Sequence, residues 1–435
     1  MNNNQLLKSL LTMFFLLCGQ TVIWAQPKDA ATLPASDEDV VLQWNRVLME
    51  TILTPGQHPP TVMHARSFAM MHAAMFDAVN SIDATHTPYL TDVPGSKNAS
   101  IEAAAAQAAH GILAALYPTR LASFDAELAS SLEGIDENRA QQGIRVGKIV
   151  ADRLLSARVN DGWNVPPPPY LLPNTPGNWQ PTPPGNAAAT FTHYPAVLPF
   201  VLTSGYQFIP NAPPDMTSEE YTASFKEVKE LGSATSATRT PDQTQVARLW
   251  AGVGTPTNFT FVWNNVARTV ALDRGLTTVE KARLFALINI SHHDALQTSF
   301  ASKFQYGTWR PVTAIRRADE DGNPDTAADA AWTSLNPNPP YPSYAGNMAT
   351  LSTAQSTMLA MFFGRDDIRF DHTWEGAGGA TRSYVGFDAM ANEAARSRVY
   401  GGIHFTFDNV AGQSIGRNVA NYIFQNYMRP RQCVR

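Results

Sequence analysis

Residues 277–311 read TTVEKARLFALINISHHDALQTSFASKFQYGTWRP. Thr277 followed by Glu280 is a Ser/Thr-x-x-Glu capping pattern, in which each side chain satisfies a free backbone N–H of the other residue's segment. Apolar and small residues then run on toward Lys303, so the pattern predicts one long helix. Pro311 lacks the N–H needed to continue it and should end or bend it there. On a continuous helix Lys303 and Arg310, seven residues apart, would lie two turns apart on nearly the same face.

Working outward, helical spacing recurs over residues 40–50 and 62–82, and Ala-rich segments over 101–116 and 144–155 extend the habit. Thr217 with Glu220 repeats the capping pattern. Convincing alternating strands are scarce. Between Trp163 and Pro214 lie 14 of the 31 prolines, which remove donors and disfavour helix in the preceding residue. Trp179, Phe191, Tyr194 and Phe200 inside this stretch argue that it packs on the body of the protein. The expected architecture is all-α, two helical bundles joined by a Pro-rich irregular segment. Its divisions are 1–25, a signal peptide; 26–162, an N-terminal helical bundle; 163–215, the packed connection; and 216–435, a C-terminal bundle.

The chain has 435 residues, 44% apolar and 16% charged, which fits an ordinary globular protein with a large interior. A formal net charge of -5 provides no broad basic surface, so neither nucleic acid nor an acidic membrane is an expected partner. Any anion site must be a local cluster. At the N-terminus Lys8 precedes an apolar run ending near Cys18, and Ala25 before Gln26 suits cleavage, so export to the periplasm or medium is expected. That run is too short to span a bilayer, and no later stretch is long and apolar enough. Cleavage would leave Cys433 as the single thiol, with no intramolecular disulfide.

Arg398 and His404 are six residues apart and would face different sides of one helix. Gly401 and Gly402 permit a break between them, so Arg398 ends one segment while His404 opens the next. Asp408 follows one turn later, where its carboxylate can accept from the second ring nitrogen and fix the tautomer. Alone, each of these cations is better read as a solvated surface residue and the histidine as a packed one. The set is what points to a site.

Lys303-x6-Arg310-Pro311 and Ser397-Arg398-x5-His404-x3-Asp408 together resemble two of the three signature motifs of the type 2 phosphatidic acid phosphatase and vanadium haloperoxidase superfamily. Tyr306, Trp309 and the run from Pro311 to Arg316 are similar to its soluble haloperoxidase-like branch, as are Trp44-Asn45, the segment from His72 to Asn80, and Leu116-Tyr117-Pro118. The resemblance implies that Lys303, Arg310 and Arg398 hold the equatorial oxygens of vanadate or phosphate. It also implies that His404 ligates vanadium or attacks phosphorus. Physically, cations aimed at a trigonal-bipyramidal oxyanion stabilise either species.

The third motif, Ser-Gly-His, departs from the pattern. The segment from Pro339 to Ala349 places Gly346, Asn347 and Met348 at those positions, and no frame restores an imidazole. Methionine cannot carry the proton that the family's acid–base histidine carries. Gly346 and Asn347 retain backbone N–H groups for an oxyanion, while Tyr344 and Asn347 are nearby substitutes in sequence. His292 and His293 lie too far along the helix, and as neighbours they point apart, which argues against zinc. His64 and His72, beside Met70, Met71 and Met75, read as core histidines.

The resemblance leads to a vanadate-dependent peroxidase that oxidises halide with hydrogen peroxide. An exported acid phosphatase using a phosphohistidine at His404, with no cofactor, is the alternative, and a non-catalytic phosphate or vanadate binder is the third. Small molecules are the expected partners in each, and a homo-oligomer is compatible with the sequence.

Overall fold

The computed structural model describes residues 38–54, 56, 61–94, 97–252 and 259–431. The expected export segment 1–25 and Cys433 lie outside the described residues. Within them the protein is helical: α1 (Val40–Leu53), α2 (His64–Asp83), α3 (Ile101–Leu116), α4 (Leu121–Ser131), α5 (Glu137–Arg158), α6 (Glu219–Leu231), α7 (Pro241–Leu249), α8 (Phe259–Asp273), α9 (Thr278–Tyr306), α10 (Pro311–Arg316), α11 (Asn347–Phe363), α12 (Phe387–Tyr400) and α13 (Thr406–Asn426). An antiparallel hairpin, β1 (Phe370–Trp374) and β2 (Ala380–Tyr384), lies between α11 and α12. Its first strand alternates buried Phe370, His372 and Trp374 with exposed neighbours, a period-two signal present in the sequence.

The helix opening at residue 278 is the axis of the fold. Thr277 and Glu280 form the reciprocal capping box, and nearly every side chain from Lys281 to Lys303 is buried. Such all-round burial requires neighbours on every side, and α2, α11 and α13 supply them. The other capping expectation shifts by one residue: Ser218, not Thr217, caps α6 by accepting from the Tyr221 N–H. Phe68 and Phe285 flank the His72 ring, and Asn45 Nδ2 lies 2.9 Å from His72 Nε2.

Pro311 does not end the long helix. Gly307, in the left-handed region with φ 59°, caps α9 after Tyr306. Arg310 sits in extended backbone as the N-cap of α10, with Pro311 as its first residue, where a missing N–H costs nothing. Lys303 and Arg310 therefore share no helical face.

The Pro-rich stretch packs on the body, with Trp179, Tyr194 and Phe200 buried. It also shapes the turn after α9: Trp179 N–H donates to Gly307 O at 2.7 Å and Trp309 N–H to Gly177 O at 2.9 Å. Further along, the N–H groups of Phe200, Val201 and Leu202 all donate to the Asp294 carboxylate on α9. Three backbone donors of an irregular segment are thus satisfied by one carboxylate of the central helix. No described helix is long and apolar enough to cross a membrane.

Candidate oxyanion site

Lys303 lies in the last turn of α9, and its Nζ donates to three carbonyls of one loop: Pro342 at 3.1 Å, Ser343 at 2.7 Å and Ala345 at 2.6 Å. Three acceptors match the three protons of an ammonium. Burial, and next the nearby Arg310, pull its pKa well below the ordinary lysine range, while these bonds favour the charged form. The loop is thereby clamped to α9.

Arg310 projects from the N-cap of α10. Its Nε donates to Tyr341 O at 2.9 Å, and Nη1 donates to Ile403 O at 2.8 Å and to His404 Nε2 at 3.1 Å. Its Nη2 is buried with no hydrogen-bond partner. Arg398 ends α12, with Nη1 donating to Trp250 O at 2.8 Å and Nε buried without a partner. Burial lowers both guanidinium groups to about 10, so both stay protonated at neutral pH.

Between Arg398 and His404 the chain turns at Gly402, whose φ of 75° suits glycine. The break between α12 and α13 falls where the two glycines suggested. His404 precedes α13, and its Nδ1 lies 3.0 Å from Asp408 Oδ2. Because a guanidinium can only donate, Nε2 must accept from Arg310, which leaves the ring proton on Nδ1, facing Asp408. Asp408 Oδ2 also accepts from Ser343 Oγ at 2.6 Å and from Phe405 N–H at 2.9 Å. Burial, then Arg310 and the other cations, push His404 well below its usual pKa. The imidazole is neutral, with its Nε2 lone pair on the side of the cations.

The third motif occupies the loop before α11 and that helix's first turn. Gly346 N–H donates to Asp408 O at 2.8 Å, so the anticipated backbone donor at Gly346 is already engaged. This contact is part of a close approach of α11 to α13, since a Cβ on Gly412 would fall 2.5 Å from Gly346 O. Asn347 begins α11 with no side-chain cap before it, so first-turn N–H groups lack intrahelical acceptors. Its Oδ1 accepts from Ser299 Oγ at 2.7 Å. Met348 is buried among apolar residues.

Several substitutes considered for the missing imidazole are committed elsewhere. Tyr344 donates its hydroxyl to Asn211 O at 2.6 Å. His292 Nδ1 meets Gln355 Nε2 at 2.8 Å, and His293 Nδ1 meets Asp294 Oδ1 at 2.9 Å.

Lys303, Arg310, Arg398, His404 and Asp408 converge through contacts between segments far apart in sequence. Three residues at the site were not singled out from the sequence: Ser343 as a partner of Asp408, Trp250 as the acceptor for Arg398, and Tyr341. The Tyr341 ring lies 5.4 Å from Lys303 Nζ and 5.2 Å from the Arg310 guanidinium carbon. Tyr341 carries a hint as the aromatic residue before the third motif, and Ser343 as the serine of a shifted frame of that motif, which puts Ala345 at the histidine; Trp250 carries none.

The charges do not balance. Three cationic groups, Lys303, Arg310 and Arg398, meet one carboxylate among the described residues, and Asp408 acts on Lys303 and Arg310. Buried charge without a counterpart is costly, and two buried N–H donors have no protein acceptor. A small, multiply charged oxyanion meets both needs.

The family description "VCPO second helical-bundle domain" matches residues 283–432. Vanadium chloroperoxidase from Curvularia inaequalis is 26% identical over 431 residues, covering 76% of this chain and 68% of that protein. A bacterial vanadium-dependent iodoperoxidase structure superposes with a TM-score of 0.76 at 23% identity, covering 91% of this chain and 96% of the other. The apo form of a bacterial vanadium-dependent chloroperoxidase gives a TM-score of 0.70 at 18% identity, covering 90% and 99%. The solved structures establish the helical fold, and the set as a whole matches the haloperoxidase-like branch that the motifs indicated.

Proposed function

We propose that this protein is a vanadate-dependent peroxidase that oxidises halide with hydrogen peroxide. The observation that carries the reading is the buried excess of cations around a neutral imidazole, with Arg310 Nη2 and Arg398 Nε left without protein acceptors. Those donors fit vanadate oxygens, and His404 Nε2 fits the metal. The likeness to the Curvularia inaequalis chloroperoxidase supports the same choice. When bound, vanadate would supply a Lewis-acidic centre that activates peroxide toward halide.

The chain's own residues have separate tasks in this reading. Arg310 and Arg398 bind oxyanion oxygens by charge-assisted hydrogen bonds, worth roughly 1.5–3 kcal/mol each. Lys303 spends its protons on loop carbonyls and contributes charge through space. Asp408 holds the Nδ1 proton, so that Nε2 is presented as the ligating atom once Arg310 turns from it to the anion. Asn347, at the uncapped start of α11, would add a backbone donor to the anion in this reading.

A second reading, an acid phosphatase, draws on the neutral His404 imidazole, whose Nε2 lone pair could attack phosphorus once Arg310 turns from it to the anion. Met348 favours the third, capture of phosphate or vanadate without turnover. Halogenation of a phenol indicator after addition of vanadate and peroxide supports the first. Hydrolysis of p-nitrophenyl phosphate, inhibited by vanadate, replaces it with the second, and vanadate binding with neither activity leaves the third. Met348→His should raise turnover by roughly 10²-fold if it restores a proton carrier; an unchanged rate in a folded variant rejects the placement of Met348 at the histidine position.

A further inference from the structure

We propose that the Tyr341 hydroxyl is the proton-bearing group of this site and donates a hydrogen bond to the bound oxyanion, in place of the imidazole that Met348 lacks. The inference rests on the oxyanion reading above but not on which reaction follows.

Position is the first support. The Tyr341 ring lies over both the Lys303 ammonium and the Arg310 guanidinium, at 5.4 and 5.2 Å. The phenol is therefore beside the Arg310 guanidinium, whose Nη2 is an unpartnered donor. Rigidity is the second. Tyr341 stands between Pro340 and Pro342, its N–H donates to Pro339 O at 2.9 Å, and its carbonyl accepts from Arg310 Nε. The edge of Phe300 holds the ring at 5.2 Å. Availability is the third. Nearby phenols are engaged, Tyr344 with Asn211 O, Tyr306 with Pro210 O and Tyr170 with Phe304 O. Among the described residues the half-buried Tyr341 has no hydrogen-bond partner for its hydroxyl. A phenol O–H is a hydrogen-bond donor, which methionine is not.

Tyr341→Phe keeps the ring, the backbone carbonyl and the cation–π contacts and removes only the hydroxyl. Calorimetric titration of inorganic vanadate and of phosphate into the wild type and the variant tests the assignment without requiring turnover. Binding should weaken by about tenfold for both anions, the size of one hydrogen bond to a charged acceptor. Melting in the absence of anion should be unchanged. Adding vanadate should also perturb the tyrosine ultraviolet spectrum of the wild type and not that of the variant. Equal affinities overturn the tyrosine assignment while the oxyanion site stands. A wild type that binds neither anion removes the site itself, and the tyrosine role with it.

Discussion

Arg66 and Arg158 meet Asp161 in the first half of the chain, whereas Arg310 and Arg398 meet around His404 in the second, and the two pairs are finished differently. In the first, both Nε groups donate to Asp161 Oδ2, at 2.7 and 3.1 Å, and the remaining contacts of Arg158 go to the carbonyls of Leu198 and Pro199. Arg66 also donates to Arg158 O and stacks on Trp163. No side-chain nitrogen of either residue is buried without a partner. That cluster ties the Pro-rich connection to α2 and α5. In the second, the one carboxylate is occupied by His404, Ser343 and Phe405, and each arginine keeps an idle buried donor. A closed network stabilises the fold; an open one holds potential for a ligand.

The largest contrast is expected from removing each centre. His404→Ala should lower turnover by about 10³-fold or more with the fold intact, while Asp161→Ala should cost about 3–5 kcal/mol of stability with turnover per folded molecule unchanged. Denaturant melts and rates on the two variants check this, and a crossed outcome breaks the comparison. Next, Arg158→Met should cost about 3 kcal/mol by leaving the carbonyls of Leu198 and Pro199 without their donor and Asp161 with Arg66 as its one arginine partner. Arg398→Met, which gives up one carbonyl contact and relieves repulsion, should stay within about 1 kcal/mol of the wild type without anion.

A smaller effect sharpens the same point. Vanadate or phosphate at a hundred times its Kd should raise wild-type stability by about 2.7 kcal/mol, and the rise should shrink in Arg398→Met but persist in Arg158→Met. The smallest effect is in pH. Burial raises Asp408 to about 6, so as pH falls through 6 it takes up a proton and loses the charge that strengthens its hydrogen bond from His404 Nδ1. His404 itself, held well below its usual pKa, stays neutral there. kcat/KM should therefore fall on the acid side with a midpoint near 6. A profile flat through that region would remove Asp408 as the holder of the tautomer.

Much of this was legible in the sequence, for reasons that differ by element. The helix over Ile101–Leu116 and the capping box at Thr277 and Glu280 are local, set by apolar spacing and side chains three residues apart. His404 and Asp408 pair because one turn brings them together. The shared helical face expected for Lys303 and Arg310 does not form. A glycine in the left-handed conformation ends α9 at Tyr306, and the turn beyond it is paired with residues 177–179 of the Pro-rich stretch. Trp250 is invisible as a site residue and Ser343 is visible only as the serine of a shifted motif frame, since nothing local marks a carbonyl or a hydroxyl as the partner of a group far along the chain.

The sequence by itself determined the chemical inventory: three cations, one imidazole, one carboxylate and a methionine where a proton carrier was expected, together with the helices that bear them. Only the tertiary structure decided which donors remain idle. The acceptors that occupy Lys303, Arg310 and Arg398 come from Ser343, Ile403 and Trp250, respectively 40, 93 and 148 residues away. Hydrogen-bond saturation is a property of the packed interior, and spacing along the chain does not encode it.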